Sequence, residues 1–312
     1  MAQAVRDIRR RIKAVRSTQQ ITRAMQMVAA ARLRKAQGRA LSARAYSEKL
    51  DELLERLTAD EAHIGHSLLD RRPVRRATVI AVTADRGLAG SYNTNLFRRV
   101  EACLAALVRD ITRDGVEILV VGRKGRDYLR RRGWSVTREE IGVPDDDLGQ
   151  LAREFTVRII DTFSRGATDE VLVVYSRFVS PLVQRPEVLR LLPVASPEPA
   201  SETGDEEATA PRRTGAGERP VEQSELEYVY EPSPRTVYSL LLPKFVTNQL
   251  FHTLLEARAS EYAARMTAMK AATDNADDLI EKLTLEMHHA RQTSITREIM
   301  ELVGGAEALE KR

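Results

Sequence analysis

The sequence has one cysteine, few aromatic residues and no long apolar run. Cys103 alone cannot form an internal disulfide or a cysteine-based metal cluster. Aromatic residues make up 5% of the chain and charged residues 30%, a balance that favours long solvated helices over a thick globular interior. No stretch reaches the roughly 18 apolar residues that a membrane span needs, and charges rather than an apolar signal follow the first residues. We expect a protein of a reducing compartment, neither secreted nor integral to a membrane.

The sequence also lacks any recognisable catalytic or metal-binding pattern. No histidine lies in an HExxH motif or beside a carboxylate at metal-ligand spacing, and no serine lies in a GxSxG motif. Residues 85–90 (DRGLAG) and 122–125 (GRKG) follow predicted strands, but they lack the GxGxxG and GK[ST] patterns of phosphate-binding loops. We interpret both as tight turns and expect no catalytic, cofactor or metal site. Nucleotide binding at 85–90 remains an alternative. The histidines are His63, His66, His252, His288 and His289.

Proline and glycine are absent from residues 244–303, although the chain has 12 prolines and 16 glycines. This absence predicts one very long helix. Apolar residues recur along it at alternating steps of three and four, which is the seam of a coiled coil, with Thr273 as the only polar member. Such a helix requires a partner of similar length. The seam comprises Tyr262, Met266, Met269, Ala276, Ile280, Leu283, Met287 and Ala290.

Residues 1–72 predict the partner helix, because they contain no proline and only Gly38 before Gly65. Two apolar seams run along this segment, and Ile21, Met25 and Val28 bridge a shift of register between them. The first seam is Val5, Ile8, Ile12 and Val15, and the second is Leu33, Ala36, Ala40, Ala43, Leu50, Leu54 and Leu57.

The charges of the two helices are complementary. Residues 1–45 carry twelve Lys or Arg and one Asp, whereas residues 246–303 carry six basic and nine acidic residues. The helices come from opposite ends of the chain with a large insert between them, so we predict an antiparallel pair with a globular part at one end. A basic run of this kind can also be a solvated helix face, or a contact for nucleic acid. The apolar seam that continues through the charges argues against nucleic acid, because it faces a partner helix.

Between the helices, the sequence predicts an α/β domain. Short apolar runs at 78–83, 117–121 and 171–175 are typical of buried strands, and helices are expected at 93–111 and 148–164. Alternating strands and helices predict a Rossmann-like, mainly parallel sheet. A further short helix is expected at 123–132, and an edge hairpin at 178–192, which contains two prolines.

The segment 195–225 differs from the rest in its four prolines and its many Ser, Thr, Gly and acidic residues, which favour a flexible loop. We therefore divide the chain into an N-terminal helix (1–72), an α/β domain (73–194), this acidic loop (195–225), the end of the α/β domain (226–243) and a C-terminal helix (244–312).

Several runs resemble the gamma subunit of F-type ATP synthase, of the bacterial type. ITRAMQMVAAARLRKAQ occupies 21–37, ARMTAMKAATDNADDLI occupies 264–280 and ARQTSIT occupies 290–296. In the α/β domain, TADRGLAGSYNTNLF (83–97) and YVYEPSP (228–234) follow in the family's order. The resemblance implies a non-catalytic central rotor shaft, present once per complex, that couples rotation of the c ring to ATP synthesis or hydrolysis. It also implies a peripheral position on the cytoplasmic side of a bacterial cell membrane, through the complex alone.

The resemblance further implies partners and contact residues. The shaft would lie in a ring of alpha and beta subunits, and the α/β domain beside the epsilon subunit and the c ring. Met25, Arg265, Gln292 and Thr296 match positions that contact a beta subunit or take part in coupling, and the last three lie off the seam, where we expect them to face outward. Tyr228, Tyr230 and Glu231 match the segment facing the c ring and epsilon. The loop 195–225 is longer and more acidic than compact members need, and its role stays open.

Overall fold

The computed structural model describes residues 2–60, 66–194, 231 and 233–310. Two very long helices flank an α/β domain, so the predicted fold class is confirmed. Short 3₁₀ turns lie at Ser67–Leu69 and Arg113–Gly115. The helices are α1 (Ala2–Asp60), α2 (Tyr92–Asp110), α3 (Arg123–Arg131), α4 (Leu148–Ser164) and α5 (Pro234–Glu310), and the strands are β1 (Ala77–Val82), β2 (Val116–Val121), β3 (Arg138–Glu140), β4 (Glu170–Phe178) and β5 (Gln184–Leu192).

The sheet has the strand order β3-β2-β1-β4-β5. β1 pairs in parallel with β2 and β4, β3 pairs in parallel with β2, and only β5 is antiparallel to its neighbour. Helices α2, α3 and α4 make the crossovers between the parallel strands. This arrangement is the mainly parallel sheet that the alternation of strands and helices predicts.

Both faces of the sheet are covered, so its central strands are mostly apolar. Ile80 and Val82 point to the face that packs against α4 and the first half of α5. Val79 and Ala81 point to the opposite face, against α2. The alternation follows from the two-residue period of a strand. The first half of α5 is therefore part of the core of the α/β domain as well as part of the shaft.

The C-terminal helix begins at Pro234, ten residues before the predicted start, so the predicted boundary at 244 is wrong. Pro234 starts the helix favourably, because the first helical position needs no N–H partner. The hydroxyl oxygen of Ser233 accepts a hydrogen bond from the backbone N–H of Thr236 at 3.3 Å. Pro243 lies inside the helix, where it removes one backbone hydrogen bond. Burial of Tyr238 and its neighbours against the sheet keeps the chain helical through this point.

Two other boundaries and one strand differ from the prediction. α1 ends at Asp60, and a 3₁₀ turn follows at Ser67–Leu69 within the segment predicted as helix up to 72. The hairpin expected within 178–192 is formed instead by β4 together with β5, whose one proline, Pro186, is tolerated because β5 is the edge strand. β3 is a strand that the sequence did not predict. The predicted loop 195–225 lies outside the described residues.

Candidate functional site

The two long helices form an antiparallel shaft with a defined register. The side chains of Gln19 and Asp277 are hydrogen-bonded, and the hydroxyl oxygens of Thr22 and Thr273 lie 2.8 Å apart. Thr273, the polar member of the predicted seam, is therefore satisfied by a polar residue in the partner helix. The seam prediction is confirmed for the members that are buried, which are Ile12, Leu33, Ala36, Leu50, Tyr262, Met269, Ala276 and Leu283. Ile21 and Val28, which were predicted to bridge the two seams of α1, are instead exposed, and the neighbouring Thr22 and Ala29 are buried.

The basic residues of α1 lie on its solvent-facing side. Every described Lys or Arg side chain up to Lys35 is exposed, while Ile12, Ala29 and Leu33 of the same helix are buried against α5. The charges therefore form a positive surface along one side of the shaft. Because the apolar side is occupied by α5, the seam is an intramolecular contact.

One helix continues beyond the other at the far end of the shaft. In the register of Gln19 with Asp277, α1 begins at Ala2 opposite about Ser294. α5 runs on to Glu310, about 24 Å further at 1.5 Å per residue. The tip of α5 therefore extends past the described start of α1. The apolar residues exposed there are Ile295, Ile299, Met300, Leu302 and Val303.

The residues assigned to the shaft surface lie in different environments. Met25 is partly buried, and Gln292 and Thr296 are exposed on α5 close to the start of the tip. The expectation that Arg265 faces outward is wrong, because this residue is only 9% exposed. Its guanidinium pairs with the carboxylate of Glu261 at 2.8 Å. It also donates long hydrogen bonds to the carbonyls of Arg86 and Gly87, at 3.5 and 3.4 Å.

The loop 85–90 therefore packs on α5, and Arg265 of this helix binds two of its backbone carbonyls. Leu88 and Gly90 adopt positive φ angles, as a tight turn requires. The carboxylate of Asp85 accepts a hydrogen bond from the backbone N–H of Arg123 at 3.0 Å, which joins this loop to the start of α3. Gly122 also has a positive φ, and its backbone lies against Thr83. The interpretation of 85–90 as a turn between strand and helix is confirmed. In 122–125 only Gly122 lies in the turn, because Arg123 starts α3.

A buried polar cluster that was not predicted from the sequence joins the shaft to the α/β domain. At its centre is Arg258, whose side chain is 10% exposed and lies 3.1 Å from Glu261, 3.6 Å from Asp145 and 3.8 Å from Asp85. Burial alone would lower the pKa of Arg258, but the negative charges around it outweigh burial and the pKa is raised. Arg258 therefore stays positively charged. The one available signal was the helical spacing of Arg258, Glu261 and Arg265, which places all three on one side of α5.

Tyr262 belongs to the same cluster. Its hydroxyl donates to the carboxylate of Asp145, at 2.9 Å from one oxygen and 2.8 Å from the other. Burial and this carboxylate raise the pKa of Tyr262 to about 12, so the phenol stays protonated at neutral pH. The seam residue Tyr262 thus has a second role, since its ring packs between the helices while its hydroxyl bonds to the α/β domain.

Of the residues assigned to the base, Tyr228 and Tyr230 lie outside the described residues. Glu231 is described and is exposed. Within the described part of the chain, no cluster of three or more His, Cys, Asp or Glu is placed to hold a metal ion. None of the described helices is both long and apolar enough to cross a membrane.

An antiparallel shaft rising from a Rossmann-like base is also found in known proteins. The sequence profile of the ATP synthase family matches residues 4–309. The ATP synthase gamma chain of Desulfitobacterium hafniense is 46% identical over 307 residues, which are 98% of this chain and 99% of the relative. That of Heliobacterium modesticaldum is 43% identical over 305 residues, with 98% and 99% covered.

Solved structures share the fold at lower identity. The central stalk and c-ring structure of the Tetrahymena thermophila mitochondrial ATP synthase contains a chain that is 19% identical, with a TM-score of 0.55 over 81% of this chain and 99% of that one. The rotor structure of the Euglena gracilis mitochondrial ATP synthase contains one that is 17% identical, with a TM-score of 0.58 over 95% and 100%. On the sequence matches over nearly its whole length, the chain belongs to the ATP synthase gamma chain family.

Proposed function

We propose that this chain is the central rotor shaft of an F-type ATP synthase. It turns inside a ring of three alpha and three beta subunits and couples rotation of the c ring to ATP synthesis or hydrolysis. One observation carries the proposal: a two-helix shaft rises from an α/β base and ends in a single helix whose apolar residues are exposed. Membership of the gamma chain family along nearly the whole chain supports it.

The mechanism follows from the asymmetry of the shaft. α1 presents a positive surface, and the exposed residues of α5 between 270 and 303 include more acids than bases. Each of three equivalent partners therefore meets a different surface at any moment. A ligand or partner shifts an equilibrium only by its differential affinity for two states, so a turning asymmetric shaft biases the three partners one after another. The positive side also attracts acidic loops of the ring without fixing a single geometry.

Four residues are proposed to carry the coupling contacts. Gln292 and Thr296 are exposed beside the tip, where a surrounding ring would touch them. Met25 lies partly buried on α1 and offers an adaptable apolar contact. Arg265 is buried and acts indirectly. It holds the loop 85–90 against α5 and so determines which surface this loop presents to a beta subunit.

At the base, the α/β domain is proposed to contact the epsilon subunit and the c ring through Tyr228, Tyr230 and Glu231. The exposure of Glu231 supports this assignment for that residue. We place the protein at the cytoplasmic face of a bacterial cell membrane, held there through the complex, with one copy per complex and no cofactor or catalytic site of its own. The division into a shaft, the α/β domain and the separate acidic loop 195–225 is part of the same proposal.

The test is reconstitution with a ring of alpha and beta subunits, followed by measurement of ATP formed per proton translocated. We expect the wild-type chain to co-purify with the ring in a ratio of one to three to three. Met25→Lys should assemble normally but make less ATP per proton, because a charged side chain replaces the apolar contact. Leu41→Lys is the matched control, since Leu41 is exposed on the same helix but lies nearer the α/β domain. Equal yields per proton for Met25→Lys and the wild type would refute the assignment of Met25.

A basic coiled-coil protein that binds nucleic acid is the alternative from the sequence, and no observation of the structure favours it. The seam of α1 is occupied by α5, which leaves only the exposed basic side for such a contact. Salt-dependent binding of the purified complex to duplex DNA would revive it.

A further inference from the structure

The loop 141–147, which precedes α4, touches both helices of the shaft with neighbouring side chains. Asp145 accepts a hydrogen bond from the hydroxyl of Tyr262 on α5, shared between its two carboxylate oxygens at 2.9 and 2.8 Å, and its carboxylate lies 3.6 Å from the guanidinium of Arg258. The backbone of the loop is bound as well, because Arg258 donates a hydrogen bond to the carbonyl of Val143 at 3.0 Å.

The next residue, Asp146, reaches the other helix. Its carboxylate is hydrogen-bonded to Arg39 of α1 and lies 3.8 Å from the ammonium group of Lys35. At the same level, Phe178 at the end of β4 packs against the buried cluster that includes Leu33 and Ala36 of α1. A single short loop of the α/β domain therefore contacts α1 and α5 on adjacent residues.

The two contacts differ in strength. Tyr262 is 5% exposed and Arg258 is 9% exposed, so Asp145 is bound in a setting where charge-assisted hydrogen bonds are strong. The side chain of Asp146 is 70% exposed, and an ion pair in that setting adds little to stability. Asp145 fixes the position of the loop, and Asp146 is thereby held in reach of α1 without having to supply the binding energy itself.

We propose that the loop 141–147 is a torque collar, in which Asp145 and Asp146 fix the α/β domain to both helices of the shaft so that they turn as one body. Asp145 is the main positioning residue. The inference rests on the proposed rotor function, since only a shaft under load needs this connection. Without the collar, α5 would still join the domain through its first half, but α1 could shift relative to the domain when the shaft is twisted.

The experiment measures the angular fluctuations of a bead attached to the α/β domain of the assembled complex, with the ring fixed to a surface and hydrolysis arrested. In the double variant D145N/D146N we expect the variance of the angle to rise at least twofold, while the unloaded ATPase rate of the ring stays within a factor of two. Asp147→Asn is the matched control, because the side chain of Asp147 caps no backbone group of α4. Its variance should equal that of the wild type. Asp145→Glu keeps the negative charge that accepts the hydrogen bond. The variance of the angle in this variant should therefore be much closer to that of the wild type than to that of D145N/D146N.

Tyr262→Phe provides a second variant that removes the hydrogen bond to Asp145 without changing any charge. This variant should also raise the variance of the bead angle. If D145N/D146N does not assemble, Tyr262→Phe alone tests whether the loop 141–147 connects the α/β domain to the shaft. An unchanged variance in variant complexes that assemble and hydrolyse ATP as the wild type does would overturn the collar alone. A wild-type chain that does not bind the ring would overturn the proposed function and the collar together.

Discussion

Replacing Arg258 by methionine should destabilise the protein strongly, because Arg258 neutralises three carboxylates at the junction of shaft and domain. Its side chain is 10% exposed, and Glu261, Asp145 and Asp85 lie within 3.1–3.8 Å of it. Removing one partner of a buried ion pair costs about 3–5 kcal/mol, since a buried charge is left unpaired. Here each carboxylate retains another partner. Glu261 still pairs with Arg265, Asp145 still accepts from Tyr262, and Asp85 still accepts from the backbone N–H of Arg123. We therefore expect the lower end, about 3 kcal/mol.

Urea unfolding of the full chain measures this loss. The single tryptophan, Trp134, reports on the α/β domain, because Arg113 stacks over its ring at 4.1 Å. A loss of about 3 kcal/mol corresponds to a decrease in Tm of about 6–12 °C for a domain of this size. Arg165→Met is the matched control: its side chain is 76% exposed and pairs with Asp161 within α4, so it should cost less than about 1 kcal/mol. If Arg258→Met were no more destabilising than Arg165→Met, the electrostatic account of the junction would be wrong.

Three further predictions concern stability. The raised pKa of Tyr262, about 12, means that the folded state favours the neutral phenol, so its contribution is complete below about pH 10 and is lost as pH rises toward 12. In alkaline unfolding experiments, Tyr262→Phe should lose less stability over that range than the wild type. Gly122→Ala should destabilise the protein by about 2 kcal/mol or more, because φ is 101° and the new methyl carbon would lie 2.2 Å from the carbonyl oxygen of Thr83. Gly38→Ala, in open space on α1, should instead stabilise it by up to about 1 kcal/mol. Thermal unfolding should therefore show a lower Tm for the first variant and a higher Tm for the second. Thr273→Val should cost about 1 kcal/mol by removing its bond to Thr22, while the double change to valine should be close to wild type in urea unfolding, and additive losses would contradict this.

The sequence was most informative where one periodic pattern determined the structure. α4 has the predicted bounds, because its apolar residues follow the helical period and pack on one face of the sheet. The pairing of α1 with α5 followed from matching seams and opposite charges. β3 was missed because Arg138–Glu140 is short and polar, and pairing with β2 at the sheet edge makes it a strand. The start of α5 was misplaced because packing on the sheet overrides the helix-breaking tendency of Pro243.

The junction could not be predicted from the seam alone. The seam predicts that α5 packs against α1 alone, so residues of α5 outside the seam were expected to face solvent. The α/β domain covers a second side of α5, and this contact buries Arg258 and Arg265 against the loops 85–90 and 141–147. The run of three aspartates at 145–147 was visible in the sequence, but its partners lie more than a hundred positions away.

The antiparallel shaft also sets the order of events when the protein is made. Gln19 and Asp277, which pair across the shaft, are 258 positions apart in the chain. At roughly 5–20 residues per second, about 13–50 s pass between the synthesis of the first helix and that of its partner. During that interval the apolar residues of α1 have no α5 to cover them. The growing chain therefore exposes Ile12, Ala29 and Leu33 to other proteins, and a chaperone or early assembly with a ring subunit would protect it until α5 emerges.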